Sequence, residues 1–187
     1  MKNPVRMSLK AVVNSRAEAE GLIKVPGDAV LIERGRPRWL LINCPCGCGE
    51  TYPVNLDPAA GKAWRIYKNE KHGITIFPSI WRDTACQAHY IIWRNRFDLF
   101  GFDSDEYGEP ADYKIEMAEL KPRVLEKLST NDYRSFVDVA DELGVVPWDV
   151  LRACKALCGS GLAREGVGPE RSAFQKRPLD TGSGLAK

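Results

Sequence analysis

The chain has 187 residues, 44% hydrophobic and 28% charged, with a formal net charge of +2. That length can bury one good core, or one core plus a small satellite; the composition is globular rather than disordered, and so small a net charge argues neither for nor against a nucleic-acid partner. No stretch approaches the roughly 20 apolar residues of a membrane span and residues 1–10 lack the apolar segment of a signal peptide, which predicts a cytoplasmic protein with no membrane partner.

Residues 1–24 read as an N-terminal extension, with helical character at 17–20. The apolar runs Ala29-Val30-Leu31-Ile32 and Trp39-Leu40-Leu41-Ile42-Asn43 predict strands, joined by a turn at 33–37. The second runs into Cys44-Pro45-Cys46-Gly47-Cys48-Gly49. Residues 57–61 read as a loop, and 64–67 and 74–77 as short strands around the polar stretch 68–73. Residues 89–93 and 96–100 predict a hairpin across Arg94-Asn95, a two-residue turn in which Asn can take positive φ. Residues 25–110 thus form a small, mostly β domain. Its last ten residues are acidic and turn-rich, a linker.

Composition then changes. Leu120, Val124, Leu125 and Leu128 recur at helical spacing. A second helix is expected over 135–143, with Ser135 as N-cap and Gly144 as terminator. A third starts at Pro147 and runs to Cys158, and a short strand begins at 162–164. This order is similar to a winged helix-turn-helix over 111–170, and the pattern Val139-Ala140-Asp141-Glu142-Leu143-Gly144-Val145 carries the likeness. Residues 171–187 read as a flexible tail. The fold class expected is α+β: a metal-stapled β domain followed by a helical, winged-helix-like one.

The chemistry begins with the thiols. Three cysteines fall within five residues, and a fourth arrives in Cys86-Gln87-Ala88-His89. Cysteines buried as small hydrophobes need no cysteine neighbours, and a reducing compartment disfavours disulfides. Thiols converging with Pro and Gly in tight turns suit zinc. Cys44, Cys46, Cys48 and Cys86 make a closed, structural four-thiolate site that staples a sheet too small to be very stable alone. One alternative puts His89 on the metal as fourth ligand in place of a knuckle thiol; another is a zinc hydrolase with an open position, the metal held by three thiolates or by two thiolates and His89, with Glu50 as base. Cys154 and Cys158, four residues apart on one helical face, read as core residues. His72, in a charged turn, reads as solvent-exposed.

A serine mechanism needs a hydroxyl within reach of a base. Ser79, in Phe77-Pro78-Ser79-Ile80 directly after a strand, is the candidate nucleophile and His89 the candidate base; most serines at such positions only cap or turn. The run CPCGCG at 44–49, then Ile76-Phe77-Pro78-Ser79-Ile80, then Cys86-Gln87-Ala88-His89-Tyr90-Ile91-Ile92 and Arg94-Asn95-Arg96, resembles a bacterial family of small zinc-knuckle serine peptidases. Those proteins occur beside ubiquitin-like modifiers and their activating and conjugating enzymes, and trim the modifier precursor to expose its conjugating end. The resemblance covers residues 25–100. It implies Ser79 as nucleophile, His89 as general base and Cys44, Cys46, Cys48 and Cys86 as ligands of a structural Zn2+. It also implies a ubiquitin-like modifier as substrate, with its activating and conjugating enzymes as partners. Two positions depart from the family's pattern, Ile76 and Ala88, where it often has serine. No third triad member stands out; Asp83 is nearest in sequence, and Glu50 and Asn43 flank the knuckle. The expected oxyanion donors are the backbone N–H groups near Ser79 and Ile80. An extended substrate tail suits addition to a strand edge.

A rival reading is a non-catalytic zinc-knuckle and winged-helix module that binds protein or nucleic acid. Its recognition helix would present Arg152 and Lys155. Residues 114–187 carry 12 Lys and Arg against 11 Asp and Glu, a weak footprint for nucleic acid.

Overall fold

A computed structural model describes residues 6–83, 86–100 (99 and 100 by backbone alone) and 115–178. The acidic linker expected at 101–110, the first five residues and the end of the tail lie outside them. The chain divides into two units, Met1–Glu109 and Pro110–Lys187. It is α+β, with mostly β sheets and a few helices.

The first unit holds two four-stranded sheets. One has the order β1 (Ser8–Val13), β2 (Asp28–Glu33), β3 (Pro37–Asn43), β4 (Thr51–Asn55); the other β5 (Arg65–Asn69), β6 (Gly73–Trp81), β7 (His89–Trp93), β8 (Arg96–Phe100). Only the β1–β2 pair is parallel. Alternation assigns the faces. Leu31, Leu40, Ile42 and Val54 of the first sheet share one buried core with Ile76, Ile80, Tyr90, Ile92 and Phe97 of the second. Val30, Ile32 and Leu41 point the other way, under Ala19 of the short helix α1 (Arg16–Ala19).

The expected extension thus supplies a strand, and Met7 is buried in the core. β4 was not expected either. It carries Pro53, which is tolerated because β4 is the edge strand of its sheet and Pro53 stands at a non-hydrogen-bonded position of the β3 pair. The expected hairpin is present, with Arg94 and Asn95 at φ of 53° and 58°.

In the second unit, α2 (Met117–Lys127), α3 (Phe136–Leu143) and α4 (Pro147–Gly159) pack together, α4 against both others. Ser135 caps α3 by accepting the Val137 N–H at 3.1 Å, and Gly144 ends it at φ 66°. Three short strands, β9 (Arg134–Ser135), β10 (Ala163–Glu165) and β11 (Ala173–Lys176), form an antiparallel sheet with β11 in the middle. β11 corrects the expectation of a free tail from residue 171. Phe174 and Gln175 are buried, and the Gln175 amide donates to the Thr130 carbonyl at 2.8 Å. Cys154 is buried as expected, its thiol pushed up to about 12 by burial. Among the described residues no helix is long and apolar enough to cross a membrane.

Candidate active site and metal centre

Cys44 follows the last residue of β3, and the knuckle folds back at once. The Cys44 N–H donates to the Glu50 carbonyl at 2.8 Å and the Gly47 N–H to the Cys44 carbonyl at 3.2 Å. Gly47 and Gly49 sit at φ of 88° and 81°, conformations that glycine takes without strain. Cys86 comes from the connection between β6 and β7. The four Sγ atoms of Cys44, Cys46, Cys48 and Cys86 lie within 4.8 Å of one another, and the cluster is made of thiols alone. Cys44 Sγ is 3.2 Å from that of Cys46 and 3.6 Å from that of Cys86. Zinc–sulfur bonds of about 2.3 Å in a tetrahedron put sulfurs roughly 3.8 Å apart, so the four residues fit a metal ion of that kind.

Arg82 backs this cluster. Its Nη1 lies 3.8 Å from Cys86 Sγ and 4.0 Å from Cys48 Sγ. Its Nη2 donates to Glu50, and the guanidinium stacks 4.8 Å from the Tyr52 ring centre. Burial alone would lower its pKa, but the Glu50 carboxylate and the Cys86 sulfur outweigh that and hold it charged. Burial pushes the Cys44 and Cys46 thiols up. At Cys86 burial acts the same way, but donors to the sulfur, the Ala88 N–H first, outweigh it and the thiol falls.

β6 does not stop at Phe77, as the sequence suggested. It runs on to Trp81 through a bulge. Ile76 pairs with Ile92 and Ile80 with Tyr90, so Phe77, Pro78 and Ser79 together face the single residue Ile91. A bulge re-aims its side chains and tolerates a proline that a regular ladder would not. The peptide bond before Pro78 is cis. The Trp64 indole N–H donates to the Ser79 carbonyl at 3.1 Å and fixes the bulge from the β5 side.

Because Ile80 and Tyr90 point into the core, Ser79, Trp81 and His89 share the outer face of this sheet. His89 is directly opposite Trp81, their rings 6.1 Å apart. It is one diagonal step from Ser79, a separation of roughly 7–8 Å between such positions. Asp83 is exposed, just beyond β6. A carboxylate that sequence reading passed over is Asp98. It pairs with Ile91 on β8 and so lies on the His89 face, again one diagonal step away. Burial raises its pKa, against the opposing pull of Arg96. Only the register could have found it, since a lone Asp in a hairpin strand looks like a solvated alternate residue. The expectation of two oxyanion amides also changes. The Arg82 N–H donates to the Ala88 carbonyl, so Arg82 and Ile80 turn their amides to β7, and the Ile80 N–H is committed to Tyr90. Of that pair, the Ser79 N–H remains.

One small β domain thus carries four thiols that could hold a metal ion, and a serine in a bulge on the same sheet face as a histidine. Residues 15–100 match the family described as bacterial ubiquitination-like system serine protease (BubE). The matched family is one of serine proteases, and the first unit is accordingly that of a hydrolase; the match does not extend into the second unit. No curated protein and no solved structure matches the chain.

Proposed function

We propose that the first unit is a serine peptidase that trims the C-terminus of a bacterial ubiquitin-like modifier precursor. Ser79 is the nucleophile, His89 the general base and Zn2+ on Cys44, Cys46, Cys48 and Cys86 the structural pin. The observation that carries this reading is the family match, which spans the knuckle, Ser79 and His89; the shared outer face of Ser79 and His89 supports it. His89 takes the Ser79 proton, the oxygen attacks the peptide carbonyl, and the Ser79 N–H receives the developing oxyanion. His89 then returns the proton to the leaving amine, and water repeats the sequence on the ester. Asp98 is better placed than Asp83 to orient His89, because it shares the histidine's face of the sheet. When bound, the metal supplies no chemistry to this reaction; four thiolates leave it no open position. Its residues hold the β6–β7 connection, and through it the start of His89's strand. The modifier's activating and conjugating enzymes are the partners this reading implies.

The test is labelling of the full chain by a fluorophosphonate, together with cleavage of a modifier precursor. Ser79→Ala is expected to abolish both, with a loss of at least ~10³-fold in rate. Undiminished cleavage by that variant would sink the mechanism.

For the second unit we propose a winged-helix-like module that docks protein rather than DNA. The observation favouring protein is charge pairing on and beside α4: Lys155 is engaged by Glu165 and Arg152 lies 3.4 Å from Asp149. A DNA reader leaves such side chains for phosphates and bases. Binding of a random-sequence duplex at physiological salt, lost in Arg152→Ala, would overturn this.

A further inference from the structure

β6 has a stretch with only one neighbour. Its pairing with β5 ends at Arg65 and Phe77. There the preceding chain turns off to the other sheet, where the Trp64 N–H donates to the Asn55 carbonyl at 2.8 Å. Among the described residues, Ile80 and Trp81 therefore pair with β7 alone, beyond the bulge that holds Ser79. Parity then decides which groups are left. Ile80 and Arg82 spend their amides on β7, so Ser79 and Trp81 direct theirs to the side that β5 has vacated. The Ser79 carbonyl is taken by the Trp64 indole. The Ser79 N–H and both main-chain groups of Trp81 have no partner among the described residues. Such a row is a template for another strand. Beside it stands the Trp81 indole, 70% exposed.

We propose that this open edge of β6, with Trp81 as its pairing residue, is the docking track for the extended acyl-side tail of the peptide that Ser79 cleaves. The inference rests on the peptidase reading above and adds how substrate is held. Trp81 lies two residues, about 6.7 Å, along the strand from Ser79. The substrate residue that pairs with it is then the third counted back from the scissile bond. Its N–H donates to the Trp81 carbonyl and its carbonyl accepts the Trp81 N–H. The second residue back turns its amide away, and the first presents its carbonyl to Ser79. Recognition by main chain gives register without demanding side chains, and the exposed indole covers the paired strand.

The probe is a set of peptide boronates, Ac-Ala-Ala-Ala-boroAla and its singly N-methylated forms, measured as inhibitors of fluorophosphonate labelling in the full wild-type chain. Methylation at the third residue should weaken binding about tenfold or more, as loss of a well-made hydrogen bond does. Methylation at the second residue should change it less than about threefold. Equal sensitivity at both, or none at the third, would overturn the proposal while leaving Ser79 as nucleophile. If the parent boronate fails to protect Ser79 at all, the peptidase reading falls and the track with it. Trp81→Pro, which deletes the Trp81 N–H and the indole while keeping the carbonyl, should weaken the parent boronate about tenfold or more. The N-methyl series on the wild type decides the matter even if that variant does not fold.

Discussion

Replacing Arg82 by alanine removes a side chain that is 11% exposed and touches four different groups. The Glu50 carboxylate it holds is 46% exposed, so that ion pair alone contributes little, on the order of 1 kcal/mol or less. Stacking on Tyr52 adds about 0.5–1 kcal/mol. The larger effect is on the metal. Four thiolates around a divalent ion leave a net charge of −2, and Arg82 is the cation whose Nη1 lies against two of the sulfurs. Partners behind the ligands typically change metal affinity 10–100-fold, or about 1.4–2.7 kcal/mol by the tenfold rule. Competition for Zn2+ against a chromophoric chelator should therefore show Arg82→Ala weaker by one to two decades. Arg82→Lys should fall between the two, since it keeps the charge but not the fork. Wild-type affinity in Arg82→Ala, with unchanged thermal unfolding of the loaded protein, would refute the coupling of Arg82 to the thiol cluster.

Three further outcomes are expected. Asp28 is buried and accepts the Lys24 and Val25 N–H groups at 3.0 and 3.1 Å, which hold its carboxyl below the usual range against the opposing effect of burial; Lys10 adds to the lowering. A depressed folded pKa stabilises above the unfolded value near 3.9 and ceases to as pH falls through the folded one. Asp28→Asn should thus cost ~1–3 kcal/mol in denaturant unfolding at pH 7, with the gap to wild type narrowing below about pH 4. A Cβ at Gly73 would stand 2.3 Å from the Asn95 side-chain nitrogen, on a residue at φ +87°. Gly73→Ala should displace Asn95, whose Oδ1 accepts the Ile74 N–H at 2.8 Å, and destabilise the first unit by ~2 kcal/mol or more in thermal unfolding. Phe174→Ala should destabilise the second unit by ~3–5 kcal/mol, read as early loss of amide-exchange protection in α4 and β11.

What could be read from the chain beforehand follows a physical line. The thiols, the Arg94-Asn95 hairpin and the caps of α3 are set by local chemistry, and a local reading finds them. β1 hid because its one apolar face, Leu9, Ala11 and Val13, is small and exposed or half-buried, a weak signal beside Lys10; its pairing with β2 makes it a strand. β4 and the far half of β6 hid behind Pro53 and Pro78, residues that usually end strands. An unpaired edge and a bulge, neither visible locally, absorb them. β11 is four residues long and owes its place to Phe174 entering a core built by distant helices. Ser79 and His89 were legible as residue types in a familiar motif, whereas Asp98 and the main-chain groups of Trp81, without a partner among the described residues, depend on register across three strands.

Cys44 belongs to one sheet and Cys86 to the connections of the other, 42 residues on. A metal held by both works as a rivet between the two leaves, much as a crosslink shortens the free chain of the unfolded state. Its loss would leave every atom of the proposed reaction in place and deprive it of alignment. Turnover per molecule would then be all or nothing with metal content, so that a partly loaded preparation would show an undiminished affinity for substrate and a maximal velocity proportional to its zinc.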